Sequence, residues 1–194
     1  MRKYSAAMAI VCSHLDQMSH SFLFPTRGSY QSDTLAKICS MKDVSYNTKD
    51  ERATLSLSQP IPTGDAILAI KFTGVMNNAM AGFYRAKYKP AVTPAASTPK
   101  EGDDHYMLST QFEACDARRA FPCFDEPNLK ASFEFEIEIP EDQVALSNMP
   151  EKAVSKGSKD GLKKVSFEKT PAMSTYVSGQ ALPLSFFHLT NSSS

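Results

Sequence analysis

The sequence predicts an all-β fold whose strands are mainly antiparallel and form a saddle-like sheet or a β-sandwich. Short segments that alternate apolar and polar side chains, or that are rich in β-branched and aromatic residues, recur along the chain. Turns rich in Pro, Gly and Ser separate them, and segments with the 3.6-residue apolar period of a helix are few. Residues 1–43 and 178–194 show neither pattern, so irregular N- and C-terminal extensions are predicted there.

The first three predicted strands lie between residues 53 and 88. Ala53–Ser58 alternates in polarity, Ala66–Thr73 is apolar with β-branched and aromatic residues, and Gly82–Tyr88 is rich in aromatic residues. Two prolines and a glycine predict a turn at Pro60–Gly64. Pro90–Asp104 contains three prolines followed by charged residues, which predicts a long exposed loop.

Four further strands are predicted after this loop. They span Tyr106–Ala114, Ala131–Ile139, Val144–Leu146 and Lys163–Glu168. In the second of these, Phe and Ile alternate with glutamates, which is the period-two pattern of a half-buried strand. Lys152–Gly161 is rich in Lys, Ser and Gly, and this composition predicts a polar turn.

Composition argues against two classes of partner. The formal net charge is zero, whereas a nucleic-acid-binding protein would show a clustered basic excess. No apolar run approaches the roughly 18 residues that a membrane-spanning helix needs. These two observations predict that the chain binds neither nucleic acid nor a membrane. The length of 194 residues suits one folded domain.

Cysteine usage indicates a reducing compartment. Cys12, Cys39, Cys115 and Cys123 form no C-x-x-C pair and no regular spacing, so reduced cytosolic thiols are predicted. The apolar run Ala6–Cys12 follows two basic residues, but it is short and no clear small-x-small cleavage site follows it. A cytoplasmic location is the prediction, and secretion is the alternative.

Thr110–Pro127 holds the candidate binding residues. Gln111 and Glu113 are two positions apart in a predicted strand, so their side chains should share one face while Phe112 points to the other. A carboxylate beside an amide suits an ammonium group, because Glu113 supplies charge and Gln111 an oriented acceptor. The alternative is structural: Glu113 pairs with one of the arginines that follow it in the sequence, either Arg118 or Arg119.

The other charged residues of this stretch are predicted to be scaffolding. Arginine can form two hydrogen bonds to one carboxylate and so fix an irregular loop. Phe121 and Phe124 would anchor the loop on the sheet, and Cys115 and Cys123 fit small core residues better than nucleophiles. The predicted scaffold residues are Asp116, Arg118, Arg119, Asp125 and Glu126.

Three segments resemble one family. They are Q-F-E-A-C-D-A-R-R-A-F-P-C-F-D-E-P from Gln111, F-T-G-V-M-N-N-A-M-A-G-F-Y-R-A-K-Y from Phe72, and F-E-K-T-P-A-M-S-T-Y from Phe167. Together they resemble the N-terminal domain of the aminopeptidase N family of zinc metalloaminopeptidases, in the branch of puromycin-sensitive and fungal alanine/arginine aminopeptidases. The resemblance covers about Val44 to Val177, so residues 44–177 are predicted to be an incomplete N-terminal β-domain.

This resemblance implies a saddle-shaped β-domain that packs over a thermolysin-like catalytic domain. The family glutamate that matches Glu113 helps to bind the free α-amine of a peptide substrate. The family glutamine that matches Gln111 lines the first side-chain pocket. The implied partners of the full-length parent are therefore peptide N-termini and a catalytic domain that holds zinc.

The sequence departs from the family where catalysis is concerned. The family binds zinc and activates water through H-E-x-x-H and a further glutamate. None of the four histidines here is followed by glutamate or spaced as a ligand pair. The segment Gly74–Asn78 resembles the family's G-x-M-E-N signature, but Asn77 stands where that signature has glutamate. We therefore predict no catalytic residue, no metal ligand and no cofactor bound by this chain itself.

The leading hypothesis is an N-terminal domain fragment of a cytosolic zinc aminopeptidase, truncated at both ends and inactive alone. The full-length parent would remove N-terminal residues from peptides. The alternative is a non-catalytic interaction or regulatory module that binds a full-length aminopeptidase or peptides. A third possibility is an unstable product, since missing edge strands would leave a sheet open to aggregation.

Overall fold

The computed structural model describes residues 2–12, 21–23, 30–31, 41–58, 66–88 and 105–184. Within these residues the chain forms strands and two 3₁₀ turns, and all of its paired strands are antiparallel, which confirms the all-β prediction. The strands are β1 (Arg2–Cys12), β2 (Ser21–Leu23), β3 (Tyr30–Gln31), β4 (Met41–Asn47), β5 (Arg52–Leu57), β6 (Ala66–Met76), β7 (Gly82–Tyr88), β8 (His105–Gln111), β9 (Lys130–Ala131), β10 (Glu136–Pro140), β11 (Leu146–Ser147), β12 (Glu151–Lys156), β13 (Leu162–Phe167), β14 (Met173–Ser174) and β15 (Gln180–Leu184).

The chain divides into two compact units. Unit 1 is drawn from Met1–Met76 and Ala117–Asp125, and unit 2 from Asn77–Asp116 and Glu126–Ser194. Each unit is therefore discontinuous in sequence, and the charged stretch that follows β8 contributes to both. None of the helical segments in the described ranges is long and apolar enough to cross a membrane.

Unit 1 contains two three-stranded sheets, in the orders β1-β6-β3 and β2-β5-β4. Its core is centred on Ala53 of β5 with Ile70 and Phe72 of β6, which are at most 5 % exposed. Alternation in β5 and the apolar run of β6 place these side chains inward, as the sequence predicts. Phe121 and Phe124 pack against the same cluster, which confirms their predicted anchoring role.

The prediction of an irregular N-terminal extension is wrong for Arg2–Cys12, which form strand β1. β1 pairs with β6 along its whole length, from Arg2 opposite Met76 to Cys12 opposite Ala66. β1 begins with basic and polar residues and continues as a run of small and apolar residues without alternation, so local pattern could not identify a strand. The pairing partner lies far along the chain, and it supplies the hydrogen bonds that define the strand.

Unit 2 contains a four-stranded sheet in the order β11-β15-β8-β7, a three-stranded sheet in the order β10-β13-β12, and the pair β14-β9. Leu108, Ile139 and Val165 are at most 3 % exposed. Phe135 stacks on Phe167 with ring centroids 5.8 Å apart. These alternating apolar positions therefore form the buried faces of the sheets.

The predicted strand Ala131–Ile139 is interrupted in the structure. β9 ends at Ala131 and β10 begins at Glu136. Between them the Phe133 amide donates to the Thr170 hydroxyl at 2.9 Å, and the Thr170 amide donates to the Phe133 carbonyl at 3.0 Å. A side chain thus replaces a backbone partner, although the predicted alternation of burial continues through this stretch.

Two further predictions are wrong at the level of single strands. Lys152–Gly161 is not a turn throughout, because β12 occupies its first part; every β12 residue is exposed, so the strand shows no alternation. β15 lies in the predicted irregular C-terminal extension, and Pro183 hides it because proline is rare in strand interiors. The predicted turn Pro60–Gly64 and loop Pro90–Asp104 fall outside the described residues.

Candidate functional site

The candidate binding residues lie where β8 ends. Gln111 is the last residue of β8 and faces Gly82 of β7 across the sheet. Phe112 is buried at 4 % exposure, as predicted. Glu113 lies in the following turn, which is closed by a 2.8 Å hydrogen bond from the Asp116 amide to the Phe112 carbonyl, and the peptide bond after Glu113 is cis. The predicted extension of the strand to Ala114 is therefore wrong.

Gln111 and Glu113 are both exposed to solvent. Among the described residues of their own unit, neither side chain makes a hydrogen bond or ion pair. Arg118, one of the two arginines proposed as structural partners of Glu113, is bonded to other carboxylates. The arrangement leaves an anionic oxygen pair and an amide at the end of β8, with their hydrogen-bonding capacity open to water or a ligand.

Arg118 forms a bonded cluster with Asp125 inside unit 1. The Arg118 Nε donates to Asp125 Oδ2 at 3.0 Å, and the Arg118 backbone amide donates to the same oxygen at 3.2 Å. Arg118 Nη1 also donates to Glu51 Oε2 at 3.1 Å. The Asp125 side chain is 2 % exposed and that of Arg118 is 17 % exposed. A carboxylate this deeply buried is stable as an anion only when it is paired in this way.

The five predicted scaffold residues are divided between the two units. Arg118 and Asp125 are brought together in unit 1, and Arg119 is an exposed residue of the same 3₁₀ turn, Ala117–Arg119. Asp116 and Glu126 belong to unit 2, where the Glu126 carbonyl accepts from the Leu129 amide at 3.0 Å. Sequence reasoning missed Glu51, because it lies 67 positions from Arg118 and no local pattern connects them.

The two cysteines whose side chains are described differ in environment. Cys115 is exposed in the turn that contains Glu113, whereas Cys123 is buried beside the Arg118–Asp125 pair. Burial raises the pKa of the Cys123 thiol well above its usual value, the Asp125 charge raises it further, and the Arg118 charge partly opposes both. Cys123 therefore remains a protonated core residue at neutral pH and is a poor nucleophile.

The segment that resembles an exopeptidase signature is structural. Gly74 and Met76 are buried in β6, and Asn77 begins the turn to β7. The Asn77 side chain accepts from the Ala79 amide at 2.7 Å and donates to the Ala81 carbonyl at 2.8 Å. Both ends of this amide are used to shape its own loop, so the side chain is not presented to a ligand.

The described residues do not provide a zinc site. No group of three or more His, Cys, Asp or Glu side chains in the described ranges could hold a metal ion. His105, the one histidine whose side chain is described, lies 5.7 Å from the Tyr88 ring, centroid to centroid. No set of side chains in the described ranges fits a zinc ion, and no catalytic step is derived through one.

Comparison with known proteins identifies the family of this chain. The model of the Peptidase M1 N-terminal domain family matches residues 13–177, a range that begins before the resemblance at Val44 and ends with it at Val177. Aminopeptidase 2, mitochondrial, from Saccharomyces cerevisiae is 44% identical over 147 residues, which are 73% of this chain and 14% of that protein.

Two further relatives show the same relation. Alanine/arginine aminopeptidase from Saccharomyces cerevisiae is 44% identical over 142 residues, covering 70% of this chain and 15% of the relative. Aminopeptidase M1-D from Oryza sativa subsp. japonica is 42% identical over 135 residues, covering 70% and 14%. The chain thus spans about a seventh of the length of these relatives. It belongs to the Peptidase M1 N-terminal domain family.

Proposed function

We propose that this chain serves as the N-terminal domain of a cytoplasmic zinc aminopeptidase and contributes two contacts to the N-terminus of a peptide substrate. Glu113 binds the α-ammonium group and Gln111 contacts the first side chain. The supporting observation is that both side chains are exposed at the end of β8, whereas the Asp125 carboxylate of the same sequence stretch is bonded to Arg118. Family membership supports an aminopeptidase context.

The chemistry of this pair favours a free amine over a blocked one. A carboxylate such as that of Glu113, which makes no hydrogen bond or ion pair with the described residues of its unit, gains a charge-assisted hydrogen bond when an ammonium group arrives. Acetylation removes the charge and one or more donors, so the gain is lost. Zinc and the activated water would come from the part of the parent enzyme beyond this chain, and we expect the pure chain to hydrolyse no aminoacyl amide.

The test is a binding titration on the full chain, with NMR chemical shifts as the readout. Leucinamide should bind at least about tenfold more tightly than N-acetyl-leucinamide, because a hydrogen bond to a charged group contributes about 1.5–3 kcal/mol. Glu113→Gln should abolish this difference. Glu141→Gln, which changes an exposed glutamate elsewhere in unit 2, is the matched control and should retain it. Equal binding of both ligands to the unmodified chain would contradict the proposal.

We also propose that the Arg118–Asp125 cluster holds the Ala117–Asp125 segment in shape, with Asp116, Arg119 and Glu126 as exposed or partly exposed members of the same stretch. The basis is geometric: one carboxylate oxygen of Asp125 accepts both the Arg118 backbone amide and its guanidinium. Two donors from one residue fix both the backbone and the side chain, which an ion pair on a flexible lysine would not do.

A non-catalytic interaction module is the second candidate, and exposed apolar side chains in unit 2 favour it. Val144, Leu146 and Val177 are 51%, 55% and 44% exposed. Asn148 connects these segments, because its side chain donates to the Val177 carbonyl at 3.0 Å and accepts from the Gly179 amide at 2.7 Å. Pull-down of a full-length relative, weakened by Leu146→Ser, would support this candidate; no binding at micromolar concentration would exclude it.

A further inference from the structure

Strand β1 carries one side chain that is fitted closely to unit 1. Tyr4 lies opposite Gly74 in the β1–β6 ladder. A Cβ atom at position 74 would overlap the Tyr4 ring, so the glycine leaves the space that the ring occupies. The ring also meets Phe72 edge-on, with centroids 6.3 Å apart and planes at 86°. We call Phe72, Gly74 and the carbonyl of Ala120 the tyrosine socket.

The hydroxyl of Tyr4 reaches a segment that is distant in sequence. It donates a hydrogen bond to the carbonyl oxygen of Ala120, which belongs to Ala117–Asp125. Ala120 is 5 % exposed, so this oxygen is shielded from water and needs a donor from the protein. Burial raises the pKa of the Tyr4 phenol above its usual value, which keeps the hydroxyl protonated as a donor.

Three contacts between Ala117–Asp125 and other described residues of unit 1 matter here. Arg118 bonds to Glu51 at the start of the β5 region, and Phe121 and Phe124 pack on the Ala53, Ile70 and Phe72 cluster. Tyr4 packs on that same cluster and supplies the third contact. Of these contacts, only the one from Tyr4 comes from residues outside the range 13–177 that the family model matches.

We propose that Tyr4 is a positioning residue that couples the docking of β1 to the conformation of Ala117–Asp125. When the ring occupies the tyrosine socket, the hydroxyl fixes Ala120, and the fixed carbonyl in turn holds the ring over Gly74. A strand outside the matched family range thereby governs part of the family's signature segment. The coupling concerns unit 1 alone and does not depend on the proposed peptide-binding role of Gln111 and Glu113.

Hydrogen–deuterium exchange with mass spectrometry on the full chain tests the coupling. Tyr4→Phe keeps the ring and removes only the hydroxyl. We expect exchange to rise at least about fivefold in both Arg2–Cys12 and Ala117–Asp125, since an unsatisfied buried carbonyl costs about 1–3 kcal/mol. Tyr46→Phe is the matched control, because it removes the hydroxyl of a tyrosine that is 52% exposed on β4, and exchange in both segments should stay unchanged.

A purely structural role for Tyr4 would give a different result. If Tyr4→Phe raised exchange equally in β4 and β5, the residue would be an ordinary core member and the proposal would be wrong. The proposal is also overturned if β1 loosens while Ala117–Asp125 keeps its protection.

Gly74→Ala gives an independent approach from the other side of the socket. The added methyl group displaces the Tyr4 ring, while Tyr4 itself and its hydroxyl group are unchanged. We expect the same two segments to lose protection together, by at least about fivefold. If Gly74→Ala loosens β1 alone, the two segments are independent and the coupling is refuted. In either variant, continued protection of β10 and β13 shows that unit 2 is still folded. A loss of protection in unit 1 alone is thereby distinguished from unfolding of the whole chain.

Discussion

Glu113 and Asp125 are carboxylates of one short signature, yet the protein treats them in opposite ways. Asp125 is 2 % exposed at its side chain and accepts two hydrogen bonds from Arg118. Glu113 is exposed, in a turn just beyond β8. Burying an ion is unfavourable unless it is fully bonded, whereas an exposed ion remains hydrated at little cost. The same residue chemistry is therefore bonded within the fold at one position and exposed to solvent at the other.

The cysteines of the signature repeat this contrast. Cys115 shares the exposed turn with Glu113, and Cys123 shares the buried environment of Asp125. Chemical type alone would not separate the members of either pair. The two members of each pair differ in burial and in bonding, and a substitution at each position can test this difference.

The largest expected effect is on the buried side of the comparison. Asp125→Ala removes the acceptor of the Arg118 Nε and backbone amide and leaves a mostly buried guanidinium without its main partner. We expect the free energy of unfolding to fall by about 3–5 kcal/mol. Chemical denaturation measures this change, and Asp142→Ala, an exposed aspartate in unit 2, is the control with an expected change within about 0.5 kcal/mol. Similar losses in both variants would show that the cluster is not special.

The cysteines should differ in reactivity on the order of 100-fold. Iodoacetamide should modify Cys115 rapidly at neutral pH, while Cys123 reacts only after local opening of the structure. Peptide mapping by mass spectrometry distinguishes the two sites. Comparable rates at both cysteines in the folded chain would contradict the assigned burial.

The pH dependence of stability follows from the same thiol. The pKa of Cys123 is raised in the folded state above its ordinary value of 9.0, so its stabilising contribution is complete below that pH. As the pH rises above 9.0, the unfolded chain loses this proton more readily than the folded chain. Stability should therefore fall in that range, and Cys123→Ala should reduce this decline.

A smaller effect is expected at the outer edge of the cluster. Glu51 is 38% exposed at its side chain, and its bond to Arg118 competes with water. Glu51→Gln should lower the free energy of unfolding by up to about 1 kcal/mol, and added salt should diminish the difference. A loss as large as that of Asp125→Ala would show that the pair is more protected than its exposure indicates.

The smallest effect on stability is expected at the exposed carboxylate. Glu113→Gln removes no hydrogen bond or ion pair to the described residues of its unit, so the free energy of unfolding should change by no more than about 0.5 kcal/mol. The same substitution should abolish preference for a free amine in the binding titration. A strong loss of stability here would place Glu113 among the structural carboxylates and end the contrast.

Local pattern predicted the strands that carry their own signal. β5, β7 and β13 lie within two residues of their predicted bounds, because alternation or aromatic content marks each one. β1 and β12 were not predicted, since β1 has no regular alternation of apolar and polar residues and β12 is exposed on every side chain. Their stability comes from partners elsewhere in the chain, which a window of ten residues cannot reveal.

The sequence indicates candidate residues for a site, but it does not predict their geometry. The spacing of Gln111 and Glu113 predicted a shared strand face, whereas β8 ends between them and Glu113 enters a turn. The charge content of the stretch predicted arginine–carboxylate bonding. It could not predict that Glu51, from a turn before β5, would join Arg118, since that contact depends on the packing of unit 1.

The division of the signature between two units has a consequence during protein synthesis. Unit 1 receives its last element, Ala117–Asp125, only after Asn77–Asp116 of unit 2 has been made. Tyr4 and Glu51 emerge from the ribosome long before the carbonyl and the guanidinium that they bond. The sheets of unit 1 therefore have an incomplete core until this segment is synthesised. Contacts between residues this far apart in sequence are also slow to form. Chaperone binding to unit 1 during translation should be strongest in that interval and should weaken once Asp125 becomes available.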